Sequence, residues 1–229
     1  MKPYLILQNC NTELGGSVID YFESRELPHK VVHTYSGEDI PELNEVESII
    51  NLGCPISMNN YHQHDFLKNL YQYVAGAVRV EKPYLGICFG GQMLAKILGA
   101  RVEQNEKPEI GTYNVSLTKA GKSDKIFEGF DDPFPVFHWH SDTFKIPYGT
   151  EQLAEGDDCK NQAFRKGRMV GIQFHLEATG KEVPLWCDEY ADELTKFGAT
   201  KNKIVSEYEN VFEKTKSMNY KMLDNFLNL

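Results

Sequence analysis

No stretch of this sequence approaches the ~20 consecutive apolar residues of a membrane-spanning helix. The opening, MKPYLILQNC, turns polar after one short apolar run. It therefore reads as a first strand and not as a secretory leader. Positive charge is also scarce. Lys and Arg number 24 against 33 Asp and Glu, a formal net charge of −9. That balance excludes a general nucleic-acid binder, which needs a basic footprint, and disfavours docking on an anionic membrane surface. Cysteine is sparse and odd in number: five, at positions 10, 54, 88, 159 and 187, with no metal-ligand spacing. A disulfide framework and a cysteine-rich zinc module are both excluded by that pattern. A cytoplasmic protein with free thiols, no metal and no cofactor is expected. Internal repeats and low-complexity tracts are missing as well. What remains is a 229-residue chain, 41% hydrophobic, enough for one domain core plus an appendage.

Short apolar runs alternate with helical patterns through the first hundred residues. Tyr4–Gln8, Val31–His33, Ser48–Asn51 and Pro83–Ile87 read as buried strands. Gly15-Gly16 opens a helix carrying Val18, Ile19 and Phe22 on one side. Phe66, Leu70, Tyr73 and Ala77 fall at near-helical spacing, and a third helix follows Gly90-Gly91 through Leu98. Strands separated by helices of this length predict crossover connections, a mostly parallel sheet and helices on both faces. The middle of the chain changes character. Thr112–Leu117 and Val136–His138 read as strands, and Ala163–Arg165 with Met169–Phe174 as a hairpin, so some antiparallel pairing is expected there. From about Gly180 the pattern is helical, with Trp186, Tyr190, Leu194 and Phe197 on one stripe. Ile204, Tyr208, Val211 and Phe212 form another. The expected division is a domain over 1–180 and a helical extension over 181–229 packed on it, or else used as a homodimer or partner interface. Its acidic residues Asp188, Glu189, Asp192 and Glu193 read as a solvated face.

The segment richest in chemistry is Pro83-Tyr-Leu-Gly-Ile-Cys88-Phe-Gly-Gly-Gln92. Gly86-x-Cys88-x-Gly90 is the thiol version of a nucleophile elbow, where a sharp strand-to-helix turn lifts the nucleophile above the sheet. The helix that follows favours a thiolate at its N-terminus. The amide of Phe89 can face a developing oxyanion, and Gln92 lies one turn on, on the face of Cys88. A buried structural cysteine in a βα turn is the bland alternative. A thiol nucleophile needs a base, and the base an orienting group. His175 and Glu177 end a strand at i and i+2, so their side chains share a face; Glu177 can hold Nδ1–H of His175 and leave Nε2 for the thiol proton. Gly53-Cys54-Pro55-Ile56-Ser57 ends another strand in a tight loop, and the amide of Cys54 is the candidate second oxyanion donor.

Together these segments resemble the class I (triad) glutamine amidotransferase family. Pro83–Gly99 matches its pattern P-x-L-G-I-C-x-G-x-Q-x-L-A-x-x-L-G almost throughout, and Gly171–Glu177 matches G-I-Q-F-H-x-E. The resemblance spans about 45–178 and is nearest to stand-alone domains similar to the glutaminase part of guanosine monophosphate synthase. It implies a flavodoxin-like open α/β sheet with C-terminal helices added. It implies catalysis by Cys88, His175 and Glu177, with oxyanion donors at Cys54 and Phe89. Val136-Phe-His-Trp-His140-Ser-Asp142-Thr-Phe144 resembles the family's H-W-H-G-D-T-F segment. By that correspondence Trp139, His140, Ser141 and Asp142, with Gly53 and Gln92, are placed near the substrate. Three positions depart from the family. Cys54 stands for the second Gly of G-G-P-x-S, which restricts the loop and adds a thiol open to oxidation with Cys88. Leu176 stands for the Pro of H-P-E, and Ser141 for the Gly of H-G-D.

The implied reaction is hydrolysis of the glutamine side-chain amide to glutamate and ammonia through a Cys88 thioester. A γ-glutamyl peptidase with the same residues, and a catalytically silent regulatory module, remain open at this point. The length left beyond 180 is too short for an ATP-dependent synthase, so any ammonia acceptor is expected on a separate chain. Other signals favour ordinary readings. Ser116–Ser123 ends like a phosphate loop but begins with Ser where Gly is required. His62-Gln-His64 has metal-like spacing but no third ligand nearby. Cys10 and Cys187 read as packing thiols, and Cys159, beside Asp157-Asp158, as exposed.

Overall fold

The computed structural model describes residues 2–229. One mixed nine-stranded sheet crosses the molecule, in the order β2-β1-β3-β4-β9-β8-β7-β5-β6. The strands are β1 (Tyr4–Gln8), β2 (His29–His33), β3 (Ile49–Asn51), β4 (Tyr84–Ile87), β5 (Val102–Leu117), β6 (Phe134–Phe144), β7 (Glu151–Glu155), β8 (Ala163–Lys166) and β9 (Met169–Ile172). The helices are α1 (Gly16–Ser24), α2 (Asp65–Arg79), α3 (Phe89–Ile97), α4 (Lys119–Ser123), α5 (Glu182–Glu189), α6 (Ala191–Lys196), α7 (Lys201–Glu209) and α8 (Phe212–Leu227).

Strands β2, β1, β3, β4 and β9 run parallel, and the other four continue the sheet antiparallel. This is the α/β class read from the sequence. The period-2 alternation of β1 divides it between two cores. Ile6 faces a cluster with Val18 and Phe22 of α1 and Met222 and Phe226 of α8. Leu5 and Leu7 face another with Leu67, Leu70 and Val74 of α2 and Met93 and Leu94 of α3. Fully burying one such side chain stabilises the fold by about 1.5–3 kcal/mol, which is why both sheet faces carry helices.

Several elements depart from the sequence reading. The core stripe of α2 is Leu67, Leu70, Val74 and Ala77, rotated one residue from the expected Phe66 and Tyr73, which flank it half-buried. Strands β5 and β6 are far longer than the expected segments. They form a two-stranded ribbon whose polar outward residues hide its alternation, with a register break between Gln104 and Glu109. Strand β7 was not legible, since Glu-Gln-Leu-Ala-Glu offers only two apolar residues. The stripe through Trp186 and Leu194 is not one helix. The chain turns at Tyr190 between α5 and α6, and Phe197 is left exposed.

The Ser116–Ser123 segment is a strand end followed by a short helix. Thr118 caps that helix by accepting from the Gly121 amide, and Lys122 pairs with Asp132 at 2.7 Å. Cys159 is fully buried, contrary to expectation, with Thr143 Oγ1 3.1 Å from its sulfur. Cys10 and Cys187 are buried as expected, and all five thiols are free. Among the described residues no helix is long and apolar enough to cross a membrane.

Candidate active site

The residues singled out in the sequence meet beyond the carboxyl ends of parallel strands β3, β4 and β9, where open α/β sheets place their ligands. Cys88 follows β4 and caps α3 with φ 50° and ψ −107°. A non-glycine residue at positive φ is strained, and here the strain projects the thiol off the strand end. The turn is tight enough to require glycine beside it. A Cβ on Gly90 would sit 2.1 Å from the Asn51 carbonyl oxygen. The amide of Phe89 opens α3, where the first amides have no acceptor within the helix.

His175 lies three residues past β9 and is held by a two-way backbone bridge to Phe137 at 2.8 and 3.0 Å. Its Nδ1 is 2.6 Å from Glu177 Oε1, and both side chains are buried. Glu177 is steadied by α1, whose Ser17 amide donates to its carbonyl at 2.8 Å. Trp186 of α5 packs across the imidazole, with ring centroids 5.0 Å apart. Burial works against the imidazolium, but the Glu177 carboxylate and the Cys88 side chain outweigh it and hold His175 well above its ordinary pKa. Burial pushes the Cys88 thiol up, while His175 pulls it down. The buried carboxyl groups of Glu13 and Glu177 push it up as well. Nε2 of His175 forms no ordered hydrogen bond among the described residues, a looseness common before substrate binds.

Cys88, Cys54, Gln92, Trp139, His140, Ser141, Asp142 and His175 all border one cleft of about 170 Å³. Gly53 is not on its wall. It lies against the Glu13 carboxylate, which comes so close that a Cβ at position 53 would fall 1.7 Å from Oε2. The Cys54 thiol is engaged in fixing its loop, donating to the Asn9 carbonyl at 3.7 Å. Ser57, farther along that loop, donates to the Asp142 carboxylate and ties the loop to the 140–142 turn. Gln92 is engaged too. Its Nε2 donates to the Asp142 carbonyl at 3.0 Å and to Gln173 Oε1 at 3.3 Å. Trp139 donates from Nε1 to Glu193 at 2.8 Å, and His140 turns its ring inward to Glu109 at 2.9 Å.

Four further residues belong to this site. Gln173 donates to Cys88 Sγ at 3.5 Å. Glu13 borders the cleft, is buried, and has Oε2 unpaired among the described residues. Burial raises its carboxyl to about 7, with Glu177 and Glu182 adding and His175 opposing. Tyr190 and Glu193 complete the outer wall, and Tyr190 is anchored by its hydroxyl 2.6 Å from Thr12 Oγ1. Glu193 is thus not merely part of a solvated acidic face. Gln173 was legible inside the G-I-Q-F-H match; the other three carry no motif.

A strained cysteine at a strand-to-helix elbow, facing an imidazole held by a carboxylate, defines a thiol amidotransferase site. The chain belongs to the class I glutamine amidotransferase family: the sequence pattern of Glutamine amidotransferase class-I matches residues 6–184. It is 31% identical over 176 residues to the glutamine amidotransferase-like protein YfeJ of Salmonella typhimurium, covering 75% of this chain and 74% of that one. It is 34% identical over 134 residues to the glutamine-hydrolyzing GMP synthase of Pyrobaculum aerophilum. That match covers 58% of this chain but only 24% of the synthase, so the chain spans about a quarter of that enzyme. One subunit of the glutamine-hydrolyzing GMP synthase of Archaeoglobus fulgidus is 30% identical, with 60% of this chain and 70% of that one covered. Among solved structures, a glutamine amidotransferase from Thermotoga maritima superposes with a TM-score of 0.92 at 30% identity, covering 100% of this chain and 99% of that one. A glutamine amidotransferase from Methylobacillus flagellatus has the same fold, with a TM-score of 0.90 at 23% identity, covering 100% of this chain and 95% of that one.

Proposed function

We propose that this chain hydrolyses the side-chain amide of glutamine to glutamate and ammonia, with Cys88 as nucleophile, His175 as base and acid, and Glu177 orienting it. The observation that carries this reading is the elbow cysteine facing an imidazole whose other nitrogen is 2.6 Å from a buried carboxylate. In the proposed sequence, Cys88 Sγ gives its proton to His175 Nε2 and attacks the amide carbon. The amides of Cys54 and Phe89 receive the oxyanion, a contribution of about 2.7–4 kcal/mol for one donor. The C–N bond breaks as His175 returns the proton to the leaving ammonia. Water, deprotonated by His175, then adds to the thioester and expels the thiol with glutamate. Gln92, Ser141 and Asp142 border the amino-acid end of the substrate.

The cleft also bears on the γ-glutamyl alternative. Among the described residues no Lys or Arg borders it, while Glu13, Asp142 and Glu193 do. A γ-glutamyl peptide brings a second carboxylate, on its leaving group, to a cleft already bordered by acidic side chains, which supports glutamine over such a peptide. The relatives that are single subunits of a GMP synthase support delivery of ammonia to a separate synthase chain. Five free thiols are consistent with a reducing, cytoplasmic setting. The test is a substrate panel of glutamine against glutathione and other γ-glutamyl compounds, reading ammonia and glutamate separately. Equimolar ammonia and glutamate from glutamine alone is expected. Turnover of the peptides without glutamine turnover would overturn the reading.

A further inference from the structure

Beneath the 140–142 turn lies a second polar cluster that the proposed reaction does not use. Glu109 comes from β5, His138 and His140 from β6, and Cys159 and Gln162 from the loop between β7 and β8; all are buried. They converge on one oxygen. Glu109 Oε2 is 2.9 Å from His140 Nε2, 3.5 Å from His138 Nε2 and 2.9 Å from Gln162 Nε2. The ligand-capable atoms of Glu109, His140 and Cys159 lie within 4.8 Å of one another.

Two features of the cluster point to a cation. His140 Nδ1 is 3.1 Å from the Asp142 carbonyl oxygen. A carbonyl only accepts, so Nδ1 carries the ring proton. Nε2 then turns a lone pair on a carboxylate oxygen 2.9 Å away, an approach that needs a proton or a metal ion between the two. The second feature is His138. Its ring is fully buried, and neither nitrogen has a partner among the described residues. An unsatisfied buried polar group costs about 1–3 kcal/mol. One proton shared by His140 and Glu109 would leave His138 unexplained, whereas an ion would engage both rings.

We propose that Glu109, His138, His140 and Cys159 form a structural zinc site beneath the 140–142 turn. The donor set of two imidazoles, a thiolate and a carboxylate suits zinc, which takes N, S and O ligands tetrahedrally at about 2.0–2.3 Å. Ligand atoms around such an ion stand about 3.3–3.7 Å apart; those of Glu109, His140 and Cys159 already lie within 4.8 Å of one another, whereas the His138 ring must shift towards them to serve as the fourth ligand. Charge also balances. Binding releases the Cys159 thiol proton to solvent, and thiolate plus carboxylate then match the two charges of the ion, with both imidazoles neutral. The outer contacts that steady zinc ligands are already in place. The Asp142 carbonyl takes His140 Nδ1–H, Gln162 donates to Glu109, and Thr143 Oγ1 lies 3.1 Å from Cys159 Sγ. The ion would brace the 140–142 turn from behind, leaving the cleft to the substrate. The spacing 109, 138, 140 and 159 matches no linear metal motif, so the sequence alone pointed to no metal. The proposal does not depend on which amide the enzyme cleaves.

The test uses the full chain without a histidine tag, grown with zinc and analysed by elemental mass spectrometry. Crystals are then measured at the zinc edge. About one equivalent of zinc is expected, with anomalous density among these four side chains. Cobalt substitution should give a thiolate-to-cobalt charge-transfer band. Cys159→Ser should lose that band and weaken zinc binding at least about tenfold. Cys88→Ser and the doubly substituted His62→Ala, His64→Ala chain should keep both. Less than a tenth of an equivalent at stoichiometric zinc, or density at Cys88 or at His62 and His64 instead, overturns the proposal. The anomalous measurement on the unaltered chain decides the matter even if Cys159→Ser does not fold.

Discussion

Replacing Glu177 by Gln tests the proposed mechanism at its most defined contact. The substitution keeps the volume and one acceptor oxygen but removes the charge facing His175 Nδ1 at 2.6 Å. Oε2 of Glu177 has no donor among the described residues, so an amide group can turn its NH₂ to that side and still accept from Nδ1. The tautomer of His175 is then preserved, and the loss is electrostatic. A hydrogen bond to a charged group is worth about 1.5–3 kcal/mol, and a neutral one about 0.5–1.5. The difference, about 1–2 kcal/mol, falls on the imidazolium formed in the transition state and corresponds to a roughly 5- to 30-fold loss in kcat/KM. The carboxylate also opposes burial in holding the His175 pKa high. Without it, only the Cys88 side chain opposes burial, and the His175 limb of the pH profile moves to lower pH. Glutamate release measures the first effect, and the pH dependence of Cys88 alkylation by iodoacetamide measures the second without turnover. A kcat/KM within about twofold of the parent and an unmoved limb would refute the orienting role.

Three more expectations can be checked alongside. Cys88→Ala is expected to abolish glutamate release with an unchanged circular dichroism spectrum, and 6-diazo-5-oxonorleucine should label Cys88; a label on Cys54 or Cys159 would contradict the site. Gly53→Ala places a Cβ where the Glu13 carboxylate lies, so the loop or Glu13 must move. A loss of about 1–3 kcal/mol in a urea titration is expected, together with slower turnover from a displaced Cys54 amide. Glu13→Gln probes linkage. The folded carboxyl titrates at about 7, above its ordinary 4.5, so the folded state holds the proton more tightly. That stabilisation is complete below pH 4.5 and is lost as pH rises towards 7, by at most about 3 kcal/mol. The Tm of the variant relative to the parent should therefore rise between pH 5 and pH 8, and a constant difference would show that Glu13 is not held protonated.

The parallel half of the fold was legible because its strands are short, continuously apolar runs between periodic helices, as in Tyr4–Gln8 and Pro83–Ile87. The elbow was legible because close backbone approach at Gly86 and Gly90 leaves a glycine signature. The ribbon of β5 and β6 was not. Polar residues fill many of its half-buried positions, and Val102–Leu117 carries too few apolar positions to alternate visibly. Cys159 looked exposed because Asp157 and Asp158 precede it, yet the chain turns inward at that residue. Glu13 and Glu193 reach the cleft from residues far from Cys88 in sequence, and nothing local distinguishes them from surface acids. Distances across the fold decide such cases, and a single sequence does not encode them in spacing.

Trp186, Tyr190 and Glu193 close one side of the cleft from a part of the chain that lies past residue 184, where the family pattern ends. That wall and the Cys88, His175 and Glu177 side chains thus come from different stretches of the polypeptide. Exchanging residues 185–197 between relatives is accordingly expected to alter both that wall and, through Trp186, the packing on His175.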